Sequence, residues 1–114
     1  MGKTGNLSRV DLARVAEFVQ ANLQHDISIK DLASLLNLSS SHFSRTFKAT
    51  TGISPYQFVQ EQRVGRALSL LKGAASIAEI AQSVGLSDQS RFTAVFRRAI
   101  GHTPAMARRQ MQTR

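Results

Sequence analysis

Cysteine is absent from the sequence, which excludes a disulfide framework, a thiol nucleophile and a zinc finger and makes a reducing cytoplasm the simplest setting. Long apolar runs are missing as well. None approaches the roughly 18 residues of a membrane-spanning helix, and the N-terminus has no apolar signal core, so neither a membrane partner nor secretion is expected. Asn6 stands where the myristoylation pattern requires Ser or Thr, and the opening Met-Gly reads as a bare start. His25, His42 and His102 are scattered without ligand spacing, so no metal is expected. His42 beside a serine run does not make a nucleophile and base, because neighbours on a helix cannot adopt that geometry. Nucleophile elbow, phosphate loop and dinucleotide fingerprint are all lacking, so neither an enzyme nor a cofactor is expected.

Acidic residues are scarce: 7 Asp and Glu against 15 Lys and Arg, a net charge of +8 over 114 residues. Residues 1 to 26 are balanced, while 27 to 72 and 73 to 114 carry equal excesses of basic groups. Such an imbalance suggests a polyanionic partner. The length suits one compact domain, or two very small ones leaning on a shared element.

What the chain does contain is a repeat. Ile29 and Ile77, like Leu38 and Leu86, are 48 residues apart; Phe43 and Phe92, Gly52 and Gly101, and Pro55 and Pro104 are 49 apart. One residue has therefore been inserted in the second copy. Ser28-Ile-Lys-Asp31 and Ser76-Ile-Ala-Glu79 have the form of capping boxes, each opening a short helix. Leu32, Ala33 and Leu36 face inward in the first, Ile80, Ala81 and Val84 in the second. Asn37 and Gly85, the types that enter positive φ most readily, follow and make a sharp turn. Leu38 and Leu86 plug the turn, and Ser39 and Ser87 are expected to cap the next helix. In that helix Phe43 and Phe47, or Phe92 and Phe96, lie at i and i+4 on one stripe. Gly52 and Gly101 stop it, and Ser54-Pro55 and Thr103-Pro104 begin another.

An amphipathic pattern from Ser8 (Leu12, Val15, Phe18, Val19, Leu23) predicts a further helix ending near Gln24. Between the repeats, Pro55 to Lys72 reads as a helix about 27 Å long. Tyr56, Val59, Val64, Ala67, Leu68, Leu70 and Leu71 form a broad apolar stripe on it, with Phe58 nearly opposite. Arg63 falls within the stripe, where a charge needs a carboxylate or carbonyls at a helix end. Gly65 suggests a close helix crossing. The fold expected is all-α: seven helices, with a lead-in at 1–6, a first helix-turn-helix module at 7–54, a linker helix at 55–72 and a second module at 73–112.

DNA reading requires a helix anchored on one face, whose other face carries side chains able to reach base edges in the major groove. With the phenylalanines inward, Ser41, Ser44, Arg45 and Lys48 point outward from the first such helix, and Gln89, Ser90, Thr93, Ala94 and Arg97 from the second. Arg45 suits guanine O6 and N7, and Gln89 suits adenine. Lys48, Arg97 and Arg98 are placed for phosphates. Ser28, Ser54, Ser76 and Thr103 mark helix N-termini whose amides can meet phosphates. Arg108 and Arg109 read as solvated surface.

At these residues the chain resembles a known family. Ser76-Ile-Ala-Glu-Ile-Ala-Gln-Ser-Val-Gly-Leu-Ser-Asp-Gln-Ser-Arg-Phe92, with Phe96-Arg97 and Gly101-His-Thr-Pro104, is similar to the signature of the AraC/XylS transcription regulators. The first half, Ile29 through Pro55, and Arg63-Val-Gly-Arg-Ala67 with Leu70-Leu71 resemble it too. The likeness covers roughly residues 7 to 108. It implies double-stranded DNA as partner, two recognition helices in successive major-groove segments, and usually activation of transcription through RNA polymerase. By position, the base readers it implies are Ser41, Ser44 and Arg45, then Gln89, Ser90 and Thr93. Ala94 departs from a frequent arginine, Leu86 from a frequent phenylalanine and Ala107 from a frequent aromatic. Most members also carry an effector or dimerisation domain, so the chain is expected to be either an excised DNA-binding domain, the favoured reading, or one of the short members that consist of that domain alone. The competing expectation is a helical protein-interaction module, such as a polymerase adaptor, that attracts nucleic acid only through its charge.

Overall fold

The computed structural model describes residues 6–112, so all but Asn6 of the expected lead-in lies outside the described residues. Seven helices and no strand occur among the described residues: α1 (Arg9–Ala21), α2 (Ile29–Leu35), α3 (Ser40–Thr51), α4 (Pro55–Leu70), α5 (Ile77–Ser83), α6 (Gln89–Ile100) and α7 (Pro104–Gln112). None of them is long and apolar enough to cross a membrane.

Local chemistry sets where these helices begin. In α2 and α5 the cap serine accepts from the third-position amide, and the acid there accepts from the serine's amide. The pairs are Ser28 with Asp31 and Ser76 with Glu79. A third box, Ser8 with Asp11, opens α1. Pro55 and Pro104 occupy the first helical positions of α4 and α7, with Ser54 and Thr103 hydroxyls accepting from Gln57 and Met106 amides.

The chain divides into two compact units. Among the described residues, the first comprises those up to Asn22 together with 26–59, and the second 23–25 with those from Gln60 onward, so the boundary falls inside α4, between Val59 and Gln60. In the first, α1 packs on α2 and α2 on α3 around Val15, Val19, Leu32, Ala33, Phe43 and Phe47. Leu7 is tied in by its amide, which donates to Thr50 Oγ1 at 2.8 Å. In the second, α5, α6 and α7 close over a core of Val64, Ala67, Leu71, Ile80, Ala81, Val84, Leu86, Phe92, Phe96 and Ala107.

Several expectations need correction. The cap of α6 is Asp88, not Ser87: its carboxylate accepts from the Arg91 amide at 3.1 Å. The inserted residue lies between Leu86 and α6, so the counterpart of Ser39 moves one place along. Helix α1 stops at Ala21, where Asn22 turns its side chain back to the Phe18 carbonyl, and α4 stops at Leu70. Tyr56 is exposed although it shares the apolar stripe of α4. Leu36 and Leu38 are half-buried. Gly65 marks no crossing, since a β-carbon there would meet nothing within 4 Å.

Candidate nucleic-acid interface

Both modules turn in the same way. Asn37 (φ 58°) and Gly85 (φ 83°) take the left-handed conformation, and the amides of Leu38 and Leu86 reach back to the Ala33 and Ala81 carbonyls at 3.0 and 2.9 Å. Both alanines are buried, which lets the second helix lie close against the first. The two turns differ in one respect. A methyl group on Gly85 would overlap the Leu23 carbonyl oxygen and crowd the Arg63 guanidinium, so the second turn requires glycine for space as well as for φ.

The helix after each turn is held by its cap, its rings and its stop. Ser39 accepts from the His42 amide at 3.1 Å, as Asp88 does from Arg91. Phe43 and Phe47 are buried with ring centroids 5.5 Å apart, and Phe92 and Phe96 are buried 5.9 Å apart. Gly52 and Gly101, at φ 86° and 94°, end helices of 12 residues each. Phe58 meets Phe47 edge-on at 5.4 Å; its counterpart 49 residues on is Ala107, buried in the second core. At these three matched positions the first copy thus has three rings where the second has two and a methyl.

Anchored this way, each helix turns a polar and basic face to solvent. Ser41, Arg45 and Lys48 on α3 are exposed and Ser44 is half-buried; Gln89, Ser90, Ala94, Arg97 and Arg98 on α6 are exposed and Thr93 is half-buried. Lys48, Arg97 and Arg98 lie in the last turns, where cations complement the helix dipole. The four expected helix N-termini are not alike. Ser28 and Ser76 already give their amides to Asp31 and Glu79, whereas the first turns of α4 and α7 hold no acid.

Two arginines bind main-chain carbonyls within the second unit. Arg63 donates Nε to the Leu23 carbonyl at 3.2 Å and Nη2 to that of His25 at 2.9 Å, with Nη1 on Gln60 Oε1 at 3.3 Å. This is the carbonyl set its place in the apolar stripe requires. Arg108 is a correction: instead of solvated surface it is a second brace, donating Nε to the Leu71 carbonyl at 3.1 Å and Nη2 to those of Gly73 and Ala75 at 3.2 and 2.7 Å. Leu71 and Gly73 lie 48 residues beyond Leu23 and His25, so the same two repeat positions are held in both places.

Two helix-turn-helix modules, each presenting one anchored helix with a polar and basic outer face, define a DNA-binding helical domain. A family profile described as a helix-turn-helix domain matches residues 32–110. The DNA-binding domain of AdpA, a global transcriptional factor solved in complex with a target DNA, is 30% identical with a TM-score of 0.83, over 90% of this chain and 94% of that one. A transcriptional regulator of the AraC type from Chromobacterium violaceum is 28% identical, with a TM-score of 0.83 over 90% of this chain and 92% of that one. The HTH-type transcriptional regulator YfiF of Bacillus subtilis (strain 168) is 38% identical over 98 residues, 85% of this chain and 31% of its own length. The chain belongs to the AraC/XylS family of transcription regulators and is a DNA-binding helix-turn-helix domain of that family. It spans 31 to 40% of the length of the first curated relatives it matches.

Proposed function

We propose that the chain binds duplex DNA sequence-specifically, with α3 and α6 entering successive major-groove segments, and that it activates transcription in the cytoplasm through contact with RNA polymerase. The observation that carries this reading is the matched pair of helices. Each is capped, pinned by two buried rings and stopped by a left-handed glycine, so its outer face is a rigid probe. Ser41, Ser44 and Arg45 read bases from the first, and Gln89, Ser90 and Thr93 from the second. Arg45 takes guanine through two parallel bonds and Gln89 takes adenine.

Lys48, Arg97 and Arg98 bind phosphates and hold the register. Among the helix N-termini, those at Ser54 and Thr103 are the better phosphate sites, because no carboxylate competes there. Ser28 and Ser76 contribute less, their amides being engaged. The activator role is supported by relatives: VirF of Yersinia enterocolitica, a virulence regulon transcriptional activator, is 34% identical over 96 residues.

Selection from a random duplex pool at fixed salt tests the proposal. The expected product is a bipartite motif with half-elements about one helical turn, roughly 10 base pairs, apart. Enrichment of no motif, with every duplex bound at about 10⁻⁴ to 10⁻⁶ M, would instead identify a protein-interaction module whose charge attracts DNA incidentally. Activation is tested by transcription in vitro from a template carrying the selected site; an unchanged or lowered transcript yield would refute it.

A further inference from the structure

We propose that Ala94 makes the two half-sites unequal: a guanine opposite Arg45 fixes the first, and a thymine methyl against Ala94 fixes the matching step of the second. The inference rests on the two-groove reading above and deepens it by assigning what each helix selects.

The common register of α3 and α6 carries it. Counted from the caps Ser39 and Asp88, the buried rings fall at the fourth and eighth residues of both helices and the left-handed glycine at the thirteenth. Arg45 and Ala94 are then both sixth. At about 100° per residue, the sixth position projects opposite the direction shared by the two rings, at the centre of the outer face. Both residues are exposed. One places there a planar fork of donors that matches N7 and O6 of guanine. The other places a single methyl, with no polar atom to offer and a shape suited to the thymine C5-methyl.

The surrounding positions fit this division. Ser41 and Ser90 share the second position, Ser44 and Thr93 the fifth, and Lys48 and Arg97 the ninth, so the flanks are similar in kind. The cation that α3 carries at its centre is displaced in α6 to Arg91 on the flank and to Arg98 in the last turn. Charge there strengthens phosphate binding without specifying the central base. The second module therefore contributes as much electrostatic attraction while selecting an A·T pair where the first selects G·C.

Selection from a random duplex pool with the whole chain, repeated with Ala94→Arg and with Arg45→Ala, decides the matter. In the wild type the expected motif has guanine in one half and thymine at the matching step of the other. Ala94→Arg should replace that thymine by guanine, with a preference of about 5-fold or more, the low end for a bidentate arginine contact. Arg45→Ala should lose the guanine of the first half by a similar factor. Both residues are exposed, so neither variant disturbs the core. Guanine at the matching step of both wild-type halves, or an Ala94→Arg motif unchanged in its second half, overturns the proposal and leaves the two-groove reading standing. A wild type that enriches no bipartite motif overturns that reading, and this proposal with it.

Discussion

The Arg63 guanidinium donates to the main-chain carbonyl of His25, 38 residues earlier in the chain, at 2.9 Å. With the bond to Leu23, this fixes the turn after α1 against the side of α4. Arg63→Ala removes a charged donor from two carbonyls and is expected to cost about 2 to 3 kcal/mol. Arg63→Lys keeps the charge but cannot fork, and is expected to recover less than half of that loss. Urea unfolding of the three proteins measures both, and a lysine variant as stable as the wild type would show that charge alone suffices.

Gly85 lies against that same turn. Gly52→Ala meets only the left-handed backbone penalty, about 1 to 2 kcal/mol, because nothing lies within 4 Å of its added methyl. Gly85→Ala meets that penalty and also the Leu23 carbonyl, so it is expected to be the more damaging by at least about 1 kcal/mol. Asn37→Gly, at φ 58°, is expected to change stability by less than about 0.5 kcal/mol. Equal losses at Gly52 and Gly85 in chemical denaturation would rule out the steric contribution.

The cap of α6 can be located by substitution. Asp88→Ala removes the acceptor of the Arg91 amide and is expected to cost about 0.5 to 2 kcal/mol. Ser87→Ala removes an exposed hydroxyl that is not the cap, and is expected to stay within about 0.5 kcal/mol of the wild type. Thermal unfolding of the pair separates them; a larger loss at Ser87 would return the cap to that residue.

Gly65 lies in the interior of α4, exposed, with open space around it. Gly65→Ala is expected to stabilise the fold by about 0.5 to 1 kcal/mol through helix propensity and reduced freedom of the unfolded chain. A fall in the unfolding midpoint would reveal a neighbour that the open space denies.

The proposed phosphate contacts have a separate signature. Lys48→Ala is expected to weaken binding to all duplexes alike and to reduce the slope of log affinity against log salt by about 1, while leaving the selected motif intact. Arg97→Ala should do the same. A motif altered at one position would instead make either residue a base reader.

Much of the fold was legible because helix ends are written locally. Ser28 with Asp31, Ser76 with Glu79, Ser54-Pro55 and Gly101 act over three or four residues, and such interactions survive in a sequence pattern. The repeat then multiplied each signal by two. The cap of α6 falls at Asp88, one residue beyond the expected Ser87, because a serine and an aspartate adjoin and either can cap; the ring register, with Phe92 four residues after the cap, distinguishes them. Tyr56 shows the opposite limit, since its apolar stripe on α4 is regular while exposure depends on what lies beside the helix.

By itself, the sequence determined seven helices, six of them in two copies of one pattern, and the faces that α3 and α6 would turn away from their rings. These depend on spacing of three to four residues, which a linear chain records. Only the tertiary structure decided that Arg108 is a brace, that Gly85 has no room for a methyl and that α1 ends early. Each of the first two depends on carbonyls more than thirty residues away in the chain, and folding alone brings such groups within reach.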